Sequence, residues 1–159
     1  MEFRITALTE DLLEQTTLLW ESGWHDAHDE ITPPALMKRR TSESFARRLR
    51  DGMAMCRIAQ GDGRVLGFHM IKQDELYQFY VSAPGRGRGV AQALIADAEQ
   101  CLREAGHATA WLACAIGNRR AASFYEKCGW TNVGVDVVNL DTQEGIYPLR
   151  VWRFEKPLA

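Results

Sequence analysis

Residues 75 to 91 read Glu75-Leu76-Tyr77-Gln78-Phe79-Tyr80-Val81-Ser82-Ala83-Pro84-Gly85-Arg86-Gly87-Arg88-Gly89-Val90-Ala91. The first seven carry the aromatic and branched side chains of a strand. From Val90 the apolar period changes. Val90, Ala91, Leu94, Ile95, Ala98 and Leu102 fall on one stripe of a 3.6-residue helix that Gly106 ends. A glycine-rich turn between strand and helix is a prepared anion site. Backbone N–H groups can approach the anion, and the helix N-terminus adds unsatisfied donors and a partial positive charge. Arg86 and Arg88 could add charge-assisted contacts. On this reading Gly89 is needed for space, and a β-branched residue there would crowd the loop. The plainer alternative is a flexible turn whose arginines aid solubility.

Two other phosphate motifs are excluded. A Walker A loop needs Gly-Lys-Ser/Thr, which is absent. A dinucleotide fingerprint opens the first βαβ unit and has its third glycine three positions on. Here Gly87-Arg88-Gly89 is followed by Val90-Ala91-Gln92 and comes after a run of hairpins.

Upstream, Met53 to Ala59 and Arg64 to Ile71 read as strands joined by the hairpin signal Gln60-Gly61-Asp62-Gly63, with Lys72-Gln73-Asp74 leading into the quoted strand. Before them, Phe3 to Leu8 alternates like a first strand, and Thr9 caps a helix predicted to run to about Glu21. Pro33-Pro34 breaks the pattern, and Ser42-Glu43-Ser44 caps a second helix carrying Phe45 and Leu49 inward. Downstream, Ala108 to Ala115 is apolar on both faces like a central strand. Asn118 caps a helix over Arg119 to Lys127 ended by Gly129, and Thr131 to Asn139 and Leu149 to Phe154 are the last strands. The order β-α-α-β-β-β-α-β-α-β-β predicts one α/β domain over residues 1–159, a mixed, mainly antiparallel twisted sheet flanked by helices.

With 159 residues, 46% hydrophobic and 25% charged, the chain has the composition of a soluble globular domain. A net charge of −2 does not suggest nucleic acid, and no apolar run reaches the roughly 18 residues of a membrane span. The N-terminus lacks a signal-peptide pattern. Cys56, Cys101, Cys114 and Cys128 are widely spaced with no CxxC pair, so they read as reduced core thiols and the expected compartment is cytoplasmic. His25 and His28, three residues apart with no further clustered ligands, make a weak metal pattern, and no metal is expected.

Arg86-Gly87-Arg88-Gly89-Val90-Ala91 resembles the Gln/Arg-x-x-Gly-x-Gly/Ala signature of the GNAT acetyltransferases, which cradles the pyrophosphate of coenzyme A, with Ala91 where many members have glycine. Phe79-Tyr80-Val81 resembles the end of the splayed strand that pairs with pantetheine. Asn118 through Phe124-Tyr125-Glu126 to Gly129-Trp130 is similar to the family's second cofactor segment. The resemblance implies an enzyme moving acetyl from acetyl-CoA to a primary amine by direct attack in a ternary complex. Tyr125 matches the general acid. Glu75 matches the base of some members, though it is equally readable as a solvent-facing residue at a hairpin corner. Tyr77 could line the acceptor cleft on the same face as Glu75. The resemblance also implies that Trp20, Trp24, His25 and His28, at the connection between the first two helices, shape acceptor binding, although a helix end with solvated charges explains each of them as well. Cys114, without a histidine partner in the sequence pattern, reads as a packed thiol. The acceptor is a small-molecule or peptide amine, and the C-terminal strands could pair across a homodimer. A non-catalytic acyl-CoA sensor on the same fold is the rival, and Tyr125 argues against it.

Overall fold

The computed structural model describes residues 2–159. Its seven strands form a single sheet in the order β1-β2-β3-β4-β5-β7-β6. They are β1 (Arg4–Ala7), β2 (Cys56–Gly61), β3 (Arg64–Lys72), β4 (Glu75–Val81), β5 (Thr109–Ala115), β6 (Thr131–Thr142) and β7 (Gly145–Pro157). Five helices complete it: α1 (Leu13–His28), α2 (Pro34–Arg39), α3 (Ser42–Asp51), α4 (Val90–Glu104) and α5 (Arg119–Lys127). The β2–β3 turn places Asp62 and Gly63 at positive φ, the two-residue geometry that the Asp-Gly pair favours. All neighbouring strands run antiparallel except β4 and β5, which α4 joins as a crossover.

Each face of the sheet has its own core. One packs Trp20 of α1 and Phe45 of α3 against Phe68 of β3, with ring centroids 5.4 and 5.7 Å from Trp20. The other packs Leu102 of α4 and Tyr125 of α5 against Leu76, Leu112 and Phe154. The amphipathic stripes of α1 and α4 are thus satisfied on opposite faces.

The first helical region differs from its sequence reading. The chain enters through a 3-10 turn at Glu10–Leu12, and the Thr9 hydroxyl bonds Asp11 rather than capping the helix. The helix proper continues past Glu21 to His28 because nothing before Pro33 breaks it. Gly23 is tolerated inside because a Cβ there would stand 2.8 Å from the Tyr80 ring, so its absence lets α1 lie close on β4. Pro33-Pro34 starts a short extra helix, α2, instead of a loop. The N-cap of α3 is Thr41, whose Oγ1 accepts from the Ser44 N–H.

Candidate active site

The central opening of the sheet follows from one weak strand pair. β4 and β5 are in register only at Glu75 and Trp111. Asp74 pins that end: its carbonyl accepts from the Trp111 N–H and its carboxylate from the indole Nε1, both at 3.1 Å. Two residues on, Tyr77 has no partner on β3, since Ile71 pairs with Leu76 and Met70 with Gln78. A bulge of this kind bends and twists its strand. Beyond it β4 leaves β5, and the facing backbone edges stay open over a cleft.

The cleft gathers residues far apart in sequence. Tyr77, Phe79 and Tyr80 line it from β4, Cys114 from β5, Asn118 and Tyr125 from α5, and His28 from the end of α1. Asn118 caps α5 as expected, its Oδ1 accepting from the Ala121 N–H at 3.3 Å, and that cap fixes where Tyr125 falls. Tyr125 is buried among Phe79, Phe124, Trp130 and Phe154, and burial raises its phenol well above the ordinary range. It is a neutral donor at any physiological pH. Burial also pushes the Cys114 thiol up to about 12, so it offers no thiolate nucleophile, as its apolar strand suggested.

Glu75 sits at the closed end of the cleft, immediately before the first lining residue, Leu76. Burial pushes its carboxyl up to about 7, against the opposing pull of Lys72. A carboxyl shifted in this way is half ionised near neutral pH. His28 is a second basic group, whose position at the cleft the helical continuation of α1 decides. Its Nδ1 donates to the Trp24 carbonyl at 2.8 Å, which leaves Nε2 as the acceptor nitrogen, and burial lowers its pKa. Trp24 itself is in the core against Phe45, not among the cleft residues. Its place is to hold His28, the rings 5.2 Å apart.

Past Val81, at the open end, the chain turns through Arg86–Gly89 into α4. Gly87 and Gly89 take φ of +75° and +81°, and a Cβ at either would meet nothing within 4 Å. Within the protein itself, space does not demand glycine here. The left-handed backbone does, and it lets Gly89 cap α4. The first helical bond runs from the Ala93 N–H to the Gly89 carbonyl, so the N–H groups of Val90, Ala91 and Gln92 remain unused by the helix. Arg86 lies 3.5 Å from Asp26 and Arg88 3.9 Å from Asp62, exposed pairs that hold both guanidinium groups beside the loop.

Outside the cleft, a broad hollow between α1 and α3 is lined by Leu18 and several glutamates and shares no residue with it. His25 spends Nδ1 on Asp29 and is not part of a cluster. His69, Asp97 and Cys101 bring metal-type ligands together, but Arg57 already holds the Asp97 carboxylate at 2.8 Å and supplies the positive charge an ion would bring. Among the described residues, no helix is long and apolar enough to cross a membrane.

A strand that parts from its parallel neighbour, followed by a helix start whose first N–H groups are unused by the helix, is the arrangement the sequence motifs implied. Residues 6–130 match the Acetyltransferase (GNAT) family. The chain belongs to the GNAT acetyltransferases. Among curated GNAT proteins it is 31% identical over 91 residues to a mycothiol acetyltransferase of Clavibacter sepedonicus, covering 55% of this chain and 30% of that protein. It is 33% identical over 86 residues to that of Thermomonospora curvata, covering 51% and 29%. The matched segments span under a third of those relatives. The PaiA N-acetyltransferase of Thermoplasma acidophilum, solved with coenzyme A, superposes with a TM-score of 0.75 at 19% identity over 99% of both chains. A putative acetyltransferase of Salmonella typhimurium, solved with acetyl-CoA, gives 0.72 at 10% identity over 100% of this chain and 95% of that one. These GNAT structures share the mixed, open sheet flanked by helices that the element order predicted.

Proposed function

We propose that this acetyltransferase moves acetyl from acetyl-CoA directly to a primary amine in the cleft between β4 and β5. The observation that carries the reading is the single register pair between those strands, which leaves the open β4 edge beside Tyr125. Phe79, Tyr80 and Val81 offer that edge to the pantetheine arm. The N–H groups of Val90, Ala91 and Gln92 that the helix leaves unused, with Arg86 and Arg88 alongside, suit the pyrophosphate, and Asn118 lines the far wall.

Glu75 accepts the proton that the acceptor ammonium must lose before its nitrogen attacks, through water if the amine stands deeper in the cleft. Tyr125 donates a hydrogen bond to the sulfur as the C–S bond breaks. Because its pKa lies above that of a thiol, the phenol shares its proton rather than surrendering it. The neutral Cys114 favours direct attack over an acyl-enzyme. Tyr77 and His28 face the acceptor, with Trp24 behind His28. A non-catalytic sensor would have no use for a donor and a base at the two sides of the cleft. Edge strand β6, with Val135 and Val137 exposed, supports pairing of two copies through the C-terminal strands.

The test is twofold. Acetyl-CoA at about 100 times its Kd should stabilise the protein by about 2.7 kcal/mol, with NAD and ATP at equal concentration doing much less. CoA release should then respond to an amine panel. Equal stabilisation by NAD, or binding without turnover on any amine, would sink the proposal.

A further inference from the structure

Beside Tyr77, on the face of the sheet that α1 and α3 cover, two arginines are buried without a carboxylate of their own. Arg40 is 4% exposed and Arg48 8%. Arg40 gives Nη1 to the Asp141 main-chain carbonyl at 2.9 Å, and Arg48 gives Nη2 to the Tyr77 hydroxyl at 3.2 Å. Both acceptors are neutral. Nε and Nη1 of Arg48 are buried with no partner. The carboxylate whose charge reaches Arg40, Asp141, turns outward at 68% exposure and stands 3.9 Å from Arg47 instead.

A buried charge without a counter-ion is costly, and two like charges side by side are costlier. The strain shows on Arg40, which burial and then the Arg48 charge bring down to about 10. Aromatic stacking accounts for part of the arrangement: the Arg48 guanidinium lies 4.5 Å from the Trp20 ring centroid. That contact uses the flat face of the group and leaves the in-plane donors of its fork unspent. What is missing is negative charge with oxygen acceptors, next to a tyrosine that lines the cleft.

We propose that Arg40 and Arg48 receive a carboxylate of the acceptor, so that the amine acetylated here is an amino acid or a peptide-like amine bearing one. The proposal rests on the acyl-transfer reading above. Coenzyme A is not the source of the anion: its phosphates go to the loop at the open end, and Tyr77 is four residues before Val81, roughly 13 Å back along the strand at about 3.3 Å per residue. The receptor is at the closed end, where the acceptor enters beside Glu75. The tip of the β6–β7 hairpin completes it, held onto the C-terminal end of α2 by Arg39–Glu144 at 2.8 Å and by Arg40 on the Asp141 carbonyl.

The experiment compares amino acids of graded length and short peptides, each against its own C-terminal amide, at matched concentrations of free base. The best carboxylate should exceed its amide in kcat/KM by about 30-fold, within the range of charge-assisted hydrogen bonds. In Arg40→Gln the ratio should fall to within about threefold, and Arg40→Lys should keep part of it. Equal rates on acid and amide in the wild type would overturn the receptor, and so would an undiminished ratio in a folded Arg40→Gln protein. If Arg40→Gln does not fold, the wild-type comparison decides. Preference for an aminoalkyl phosphonate over the matching acid would overturn the carboxylate assignment. Calorimetry separates this idea from the reaction itself. An N-acetyl amino acid should bind the CoA-saturated protein at least tenfold more tightly than its amide even if no amine is turned over, and equal binding would refute the receptor.

Discussion

Replacing Tyr125 by phenylalanine separates packing from chemistry because the ring and the hydroxyl do different things. The ring packs against Phe79, Phe124, Trp130 and Phe154 at centroid distances of 5.7 to 6.4 Å, contacts that phenylalanine keeps. The hydroxyl makes no hydrogen bond to another protein group among the described residues, so its removal strands no partner. Stability should therefore stay within about 0.5 kcal/mol, a Tm shift of roughly 1–2 °C for a chain this size. Acetyl-CoA affinity should change by less than about twofold, since the contact forms only as sulfur gains charge. A single donor to a developing anion is worth roughly 10²–10³ in kcat. A thiolate disperses its charge better than an alkoxide, so the expected loss is about 10- to 10³-fold, in kcat rather than in Kd. Stopped-time CoA release, with calorimetry for the cofactor, measures both. The raised pKa adds a further mark: the wild type should show no alkaline loss from this phenol below about pH 10. Wild-type turnover in the variant would show that Tyr125 only packs and that water supplies the hydrogen bond to the departing sulfur.

Two further outcomes follow from the same geometry. Glu75 has its folded pKa raised to about 7, so its contribution to stability is intact below about pH 4.5 and is lost as pH rises through 7, while activity, which needs the carboxylate, rises over that window. Glu75→Gln should abolish the acid limb near pH 7 and gain roughly 2–3 kcal/mol over the wild type in urea unfolding at pH 8, little of it at pH 5. A surviving limb below pH 6.5 would assign the base to His28, whose pKa is lowered. Gly89→Val should cost about 1–2 kcal/mol of stability through its +81° φ and weaken acetyl-CoA binding at least tenfold, and unchanged affinity would remove the loop from the binding site.

Sequence alone determined whatever depends on short spacing. The strand-to-helix loop at Arg86–Ala91, the cap at Asn118, the stripe along α4 and the element order were all legible, because caps, turns and amphipathic period are local properties of the chain. The reach of α1 to His28 was not, since Gly23 reads as a weakness in a helix until Tyr80 is seen packed beneath it. Glu75 was visible as a carboxylate at a strand start, but its shift to about 7 needed the burial that neighbouring strands impose. Gly89 was singled out for space around an anion, whereas the +81° φ that also calls for glycine was not legible, because backbone dihedrals leave no trace in composition. Arg40 and Arg48 look like ordinary members of the basic, solvated segments around α2 and α3. Only tertiary packing turned them inward beside Tyr77, where the Asp141 carbonyl arrives from a hairpin 101 residues away. Local order is written in neighbouring residues, whereas burial of a charge is decided by whichever distant segment comes to cover it.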